Sequence, residues 1–140
     1  MSKQPSAHKA MTPYRVLLAE DDGKTRTLLA RVLRKSGYEV VECPDGMEML
    51  THLAAFLLPE GVGREKLDLI ISESCLPGVS GMEVLEDTPG QKDFPPVIML
   101  KAGKDKGVQE LESRFCNVAA MFDKPFHVGR LLGTVRTLLN

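Results

Sequence analysis

The stretch Leu67-Asp68-Leu69-Ile70-Ile71-Ser72-Glu73-Ser74-Cys75-Leu76-Pro77-Gly78-Val79-Ser80-Gly81 decides the fold. Its apolar run, Leu69-Ile70-Ile71, stops abruptly at Glu73, and the chain then turns through Leu76-Pro77-Gly78. A short apolar run bounded in this way reads as a strand buried on both faces. It delivers a carboxylate to its own carboxyl end. In a parallel sheet flanked by helices, that edge is where ligands and chemistry collect.

The same pattern recurs on either side. Val16-Leu17-Leu18-Ala19 is stopped by Glu20-Asp21-Asp22, Val40-Val41 is bounded by Pro44, and Val97 to Leu100 follows Pro95-Pro96 and is interrupted by Lys101. Ala119 to Phe122 runs into Asp123-Lys124-Pro125-Phe126. Between these runs the apolar period changes to that of a helix. Leu28, Leu29, Val32 and Leu33 mark the first helix, which Gly37 terminates. Met49, Leu50, Leu53, Ala54 and Leu57 mark a second, from Asp45 to before Pro59. A third of one or two turns fits Met82 to Asp87, and a fourth fits Gly103 to Arg114. The fifth, His127 to Leu139, repeats Leu131, Leu132, Val135, Leu138 and Leu139. Strands alternating with helices predict a parallel sheet covered on both faces, because each crossover is right-handed.

At 140 residues, 43% hydrophobic and 26% charged, the chain is expected to fold as one globular domain, residues 14–140, behind a disordered polar tail, residues 1–13. Net charge −1 gives no footprint for nucleic acid. Cys43, Cys75 and Cys116 are odd in number and form no CxxC pair, so neither a disulfide framework nor a zinc site is expected. No run approaches the roughly 18 apolar residues of a membrane span. A cytoplasmic setting is expected, with no appended module after the fifth helix. Arg31, Arg34 and Lys35, near the carboxyl end of the first helix, are accounted for by the helix dipole and by solubility.

A parallel sheet would gather Glu20 and Asp21, Glu73, Lys101 and Lys124 on one edge. With these in place the chain resembles the response-regulator receiver domains of two-component signalling, over about Tyr14 to Asn140. The resemblance rests on LLAEDD (17–22), DLIISESCLPGVSG (68–81), VIMLKAG (97–103) and DKPF (123–126). It implies a flavodoxin-like sheet of five parallel strands in the order 2-1-3-4-5. It also implies a phospho-acceptor at position 73, a Mg²⁺-holding acidic pair at Glu20 and Asp21, and a backbone carbonyl ligand at Cys75. A hydroxyl switch would stand at position 101, an aromatic switch at position 121 and a lysine at Lys124.

Three of these positions depart from the family pattern: Glu73 replaces the acceptor Asp, Lys101 the hydroxyl and Met121 the aromatic ring. A Glu carboxylate can form an acyl phosphate. Its extra methylene, however, displaces the attacking oxygen by about 1 Å, an error that costs roughly 10²-fold in rate. Lys101 has two readings, a lysine pointing into solvent from a loop or a partner of Glu73, and in the second two lysines face three acids. A lysine roughly 6 Å from a divalent ion would repel it by several kcal/mol at an effective dielectric of about 20, which argues against Mg²⁺. On the same ground Glu73→Asp alone is expected to leave the pocket unphosphorylated.

The sequence thus predicts a stand-alone receiver-like module that is not an enzyme and carries no cofactor. It would act in a fixed state by binding a protein, either a histidine kinase or a downstream signalling protein. The surface of the fourth helix, fifth strand and fifth helix is the expected contact or homodimer face. The alternative is an active phosphorelay receiver that uses Mg²⁺. A flavodoxin-like enzyme ranks behind both, since no glycine-rich phosphate loop follows the first strand.

Overall fold

The aliphatic runs form β1 (Arg15–Ala19), β2 (Glu39–Cys43), β3 (Leu69–Glu73), β4 (Val97–Lys101) and β5 (Val118–Asp123). Helices α1 (Gly23–Lys35), α2 (Gly46–Phe56) and α3 (Val128–Leu139) accompany them. The computed structural model describes residues 12–58, 63, 65–78, 94–101 and 118–140. The helices expected over Met82 to Asp87 and Gly103 to Arg114 lie outside these residues. All strand pairings are parallel and the order is β2-β1-β3-β4-β5, as the sequence predicts. Lys101 continues β4 instead of interrupting it, opposite Asp123 of β5.

Successive strand residues point to opposite faces, so the central strands feed two separate cores. Leu17, Ala19, Ile70, Val97 and Met99 pack with Met49, Leu53 and Phe56 of α2. Val16, Leu18, Leu69, Ile71, Ile98 and Leu100 pack with Leu29, Ala30 and Leu33 of α1 and with Leu131 and Val135 of α3. β3 is buried along its whole length, so Glu73 is carried to the edge by a strand with no solvent-facing side.

Side-chain caps fix where the helices begin. Asp22 accepts from the Thr25 amide at 3.0 Å, and Asp45 accepts from the Glu48 amide at 2.9 Å. Gly37, at φ 96°, turns the chain out of α1 into β2 in the left-handed region that glycine tolerates. Thr12 and Pro13, on the tail side of the expected boundary, each accept a hydrogen bond of 3.1 Å from Lys66.

Two helix faces differ from the sequence reading. Leu28 is 48% exposed and Ala30 takes the buried position beside Leu29. In α2, Ala54 and Leu57 are exposed, while Phe56 is buried against the ring of Phe94 at a centroid separation of 6.0 Å. The apolar arc of each helix is rotated toward the sheet by which strand residues it meets, a tertiary fact that local periodicity does not contain. Leu53→Ala should therefore cost about 2–5 kcal/mol, whereas Leu57→Ala should stay below about 1 kcal/mol. Urea denaturation of the two variants measures the difference, and equal losses would restore the face inferred from periodicity.

Candidate functional site: an acidic pocket closed by a lysine

Three strand ends meet at the carboxyl edge of the sheet. β1 ends at Ala19 and leaves Glu20 fully buried, its amide donating to the Cys43 carbonyl at 3.0 Å. β3 ends at Glu73, which is 6% exposed. β5 ends at Asp123, and the next residue, Lys124, donates its amide to the Lys101 carbonyl at 2.8 Å. This last bond, followed by a cis Lys124–Pro125 peptide, sets Lys124 at the edge of the acids. Its ammonium lies 2.6 Å from Glu20 Oε1 and 3.0 Å from Glu73 Oε1.

The remaining oxygens are also engaged. Glu20 Oε2 accepts from the Asp22 amide at 3.0 Å, and Glu73 Oε2 accepts a long bond of 3.4 Å from the Asp21 amide. The Glu20 Oε1 contact with Lys124 is close but not aligned as a hydrogen bond, so among the described residues that buried oxygen has an ion-pair partner and no directed donor. The Glu20 carboxylate is thus held by one amide hydrogen bond and one ion pair.

The site's proton balance is unusual. Burial, then the Asp21 and Glu20 carboxylates beside it, push Glu73 up to about 8, against the pull of Lys124. Asp21 is held below the usual carboxylate range, chiefly by its hydrogen bond with Glu73 and against a smaller effect of burial. Burial works against the Lys124 ammonium, but Glu20 and Glu73 outweigh it and raise its pKa. Near neutral pH Glu73 therefore keeps a proton that Asp21 can accept as a hydrogen bond. Three acids share one cation here, and Glu73 is the one whose pKa is raised.

Lys101 is the reason the count is one. It does not close on Glu73: its ammonium lies 3.9 Å from Asp123 Oδ1, a residue whose side chain is 78% exposed. Of the two readings of Lys101, the pairing with Glu73 is therefore not the one seen, and the pair with Asp123 contributes little to stability. The cause is register, since Lys101 and Asp123 are direct neighbours on β4 and β5. Met121 turns inward and packs against the core layer that holds α2. Cys75 is exposed beyond the end of β3, whereas burial pushes the Cys43 thiol up to about 12.

Two features escaped the sequence reading. Arg26 donates to the Glu20 carbonyl at 2.7 Å and lies 3.5 Å from Glu42, tying α1 and β2 to the pocket. Only its place in the first turn after the acidic run hints at this. Ser74 Oγ is buried and, among the described residues, has no hydrogen-bond partner. Nothing in the sequence singles it out.

Glu20, Asp21 and Glu73 each bring a carboxylate oxygen within 4.8 Å of the others. The donor set is all hard oxygen and fits a magnesium ion. Such an ion would neutralise the acids in place of Lys124 and release the Glu73 proton.

The model of the response regulator receiver domain matches residues 16–136. The chain is 31% identical over 134 residues to the transcriptional activator protein PfeR of Pseudomonas aeruginosa, covering 95% of this chain and 40% of that protein. It is 31% identical to the transcriptional regulatory protein PdtaR of Mycobacterium tuberculosis, covering 90% of this chain and 57% of that protein. The chain thus spans about half the length of these curated relatives. Among solved structures it resembles the chemotaxis response regulator CheY4 of Vibrio cholerae, with a TM-score of 0.72 at 26% identity over 91% of this chain and 100% of that one.

Two measurements bear on the proton balance. Since the folded pKa of Glu73 stands above its ordinary value of 4.5, its contribution to stability is full below that value and lost as pH rises through about 8. Glu73→Gln, which holds no titratable proton, should show a flatter fall in stability between these two values in urea denaturation at stepped pH. Magnesium affinity, read by calorimetry, should strengthen as pH passes about 8. A pH-independent affinity would show that Glu73 is already ionised.

Proposed function

The chain belongs to the response regulator receiver domain family, and we propose that within two-component signalling it works as a module not phosphorylated at the usual site, binding a protein partner in a fixed state. One observation carries this reading. Glu73 itself occupies the lysine and the backbone amide that face the acceptor position, through the contacts at 3.0 Å to Lys124 and 3.4 Å to Asp21. An incoming phosphoryl group would need those donors to stabilise the charge that develops on its oxygens. Here they are already spent on the acceptor's own longer side chain. The proton on Glu73 removes its nucleophilic form as well.

Glu20, Asp21 and Glu73 are the residues that would hold magnesium, with the Cys75 carbonyl as the further ligand that the family pattern supplies. The ion's chemistry would be charge neutralisation at the transferred group. In the proposed state Lys124 supplies that positive charge instead, and the module needs no metal and no catalysis of its own. The whole protein's output and its setting in the cytoplasm belong to the same proposal. Among the described residues no helix is long and apolar enough to cross a membrane.

Incubation with acetyl phosphate and magnesium, followed by intact-mass spectrometry, should leave the chain at its unmodified mass. A stoichiometric phosphoryl adduct mapped to Glu73 would establish an active relay receiver instead. Because Lys101 lies with Asp123 and not over the pocket, Glu73→Asp should be enough to gain slow, magnesium-dependent labelling. The shorter side chain withdraws from Lys124 and the Asp21 amide. An unlabelled Glu73→Asp variant would return the block to Lys101.

A further inference from the structure

The outward side of α2 has the composition of a core. Within Gly46–Phe56 Glu48 is the only acidic or basic residue apart from His52, and His52 turns back to Glu65, its Nδ1 2.7 Å from Oε1. A surface helix ordinarily shows charge to water, and one that is apolar all round is ordinarily buried. Met49, Leu53 and Phe56 meet the sheet. On the other side Met47 is 55% exposed and Leu58 41%, with Thr51 and Ala54 exposed between them. The Thr51 hydroxyl donates to the Met47 carbonyl at 3.0 Å, so its polar group is used by the helix's own backbone and its methyl is what remains for a neighbour.

Met47, Thr51, Ala54 and Leu58 follow one another at steps of four, three and four residues, the spacing of a seam between helices. At 3.6 residues per turn they fall within an arc of about 60°, along a line about 16 Å long. Leu58 lies one residue past the C-cap Leu57, and its amide donates to the Ala55 carbonyl at 3.4 Å, which carries the turn on to the end of the line. The line reads the same in both directions: long side chains at its ends, small ones in the middle, equal steps either way. A two-fold axis through its centre sets Met47 of one copy against Leu58 of the other, and Thr51 against Ala54. The small pair lets the helix axes approach to the near end of the usual range, about 8 Å. Asp45 and Glu48 stand at the amino end of α2, and Lys66, its side chain 47% exposed, stands near the carboxyl end, where the Glu65 amide donates to Ala55 at 3.1 Å. Antiparallel copies bring each acidic end to the other's lysine and oppose the two helix dipoles.

We propose that this face is a contact between two copies of the chain, with α2 packed antiparallel on α2 about a two-fold axis. Such an axis requires a patch complementary to itself, and this line is one. A stripe shaped for a different protein has no reason to read the same in both directions. The contact lies on the opposite face of the sheet from α1 and α3. It begins at the turn leading out of β3: Gly46 donates to the Pro77 carbonyl at 3.1 Å, and a Cβ placed on Gly78 would lie 3.9 Å from Met47 Cγ. None of its residues belongs to the acidic pocket, so the inference does not rest on the fixed-state reading. A strip about 16 Å by about 10 Å falls well short of the roughly 800 Å² per partner of a standard interface. The dimer is therefore weak, with a dissociation constant on the order of 0.1–1 mM.

Sedimentation velocity of the full chain from about 10 µM to about 1 mM spans that constant. Reductant is kept present because Cys75 is exposed. The wild-type chain should move from monomer toward dimer across the series, and Thr51→Glu and Ala54→Lys should each weaken association about tenfold. Mixed in equal amounts, the two variants should associate better than either alone, because the axis sets the new carboxylate against the new ammonium. Both positions are exposed and both replacements are good helix formers, so the variants keep the fold. A chain that stays monomeric throughout would leave the face to a different protein and overturn the two-copy contact. A dimer undiminished by either substitution would place the contact elsewhere, and a mixture no better than its components would refute the antiparallel register; either result overturns the proposal.

Discussion

The contact of Lys124 with Glu20 and Glu73 is the constraint around which this edge of the molecule is arranged. Glu20 is fully buried, and a buried carboxylate without a cation is destabilising by several kcal/mol. The sheet order solves this, because the ends of β1 and β3 are adjacent and β5, two strands further on, can return a lysine across the edge. The Lys124 amide bonded to the Lys101 carbonyl and the turn through Pro125 fix where that lysine leaves the sheet. The positions of three strands, one loop and the start of α3 are thereby tied to one ammonium group.

Against that constraint, the meaning of one methylene changes. An Asp here would be shorter by one methylene, and Glu73 makes the contact with Lys124 at 3.0 Å through its longer side chain. The longer side chain also gathers the three acids within 4.8 Å of one another around a single cation. Three acids share that cation, and burial together with the Asp21 and Glu20 carboxylates pushes Glu73 up to about 8.

What the sequence made legible was whatever depends on local pattern along a buried strand. The short apolar runs and their polar stops gave all five strands, their order by resemblance, and the gathering of Glu20, Asp21, Glu73 and Lys124. What it hid depends on register or rotation. Lys101 and Asp123 are neighbours only once β4 and β5 are aligned, and with that pairing the second lysine leaves the pocket. Leu28 and Leu57 keep helical spacing yet face outward, because the sheet beneath each helix chooses the buried arc. Glu73's proton was hidden for a third reason: a protonation state is a sum over neighbours, and no single residue announces it.

The misplaced Leu28 and the closed pocket are connected through the same loop. Arg26 joins the Glu20 backbone to Glu42, and Lys124 reaches from the acids to the cleft beside Leu28. In a working switch the lysine's position would depend on whether a phosphoryl group were present. With Glu73 in contact at 3.0 Å, the lysine has its partner on the sheet edge without any phosphoryl group, and the wall it forms for the cleft is held by that ion pair.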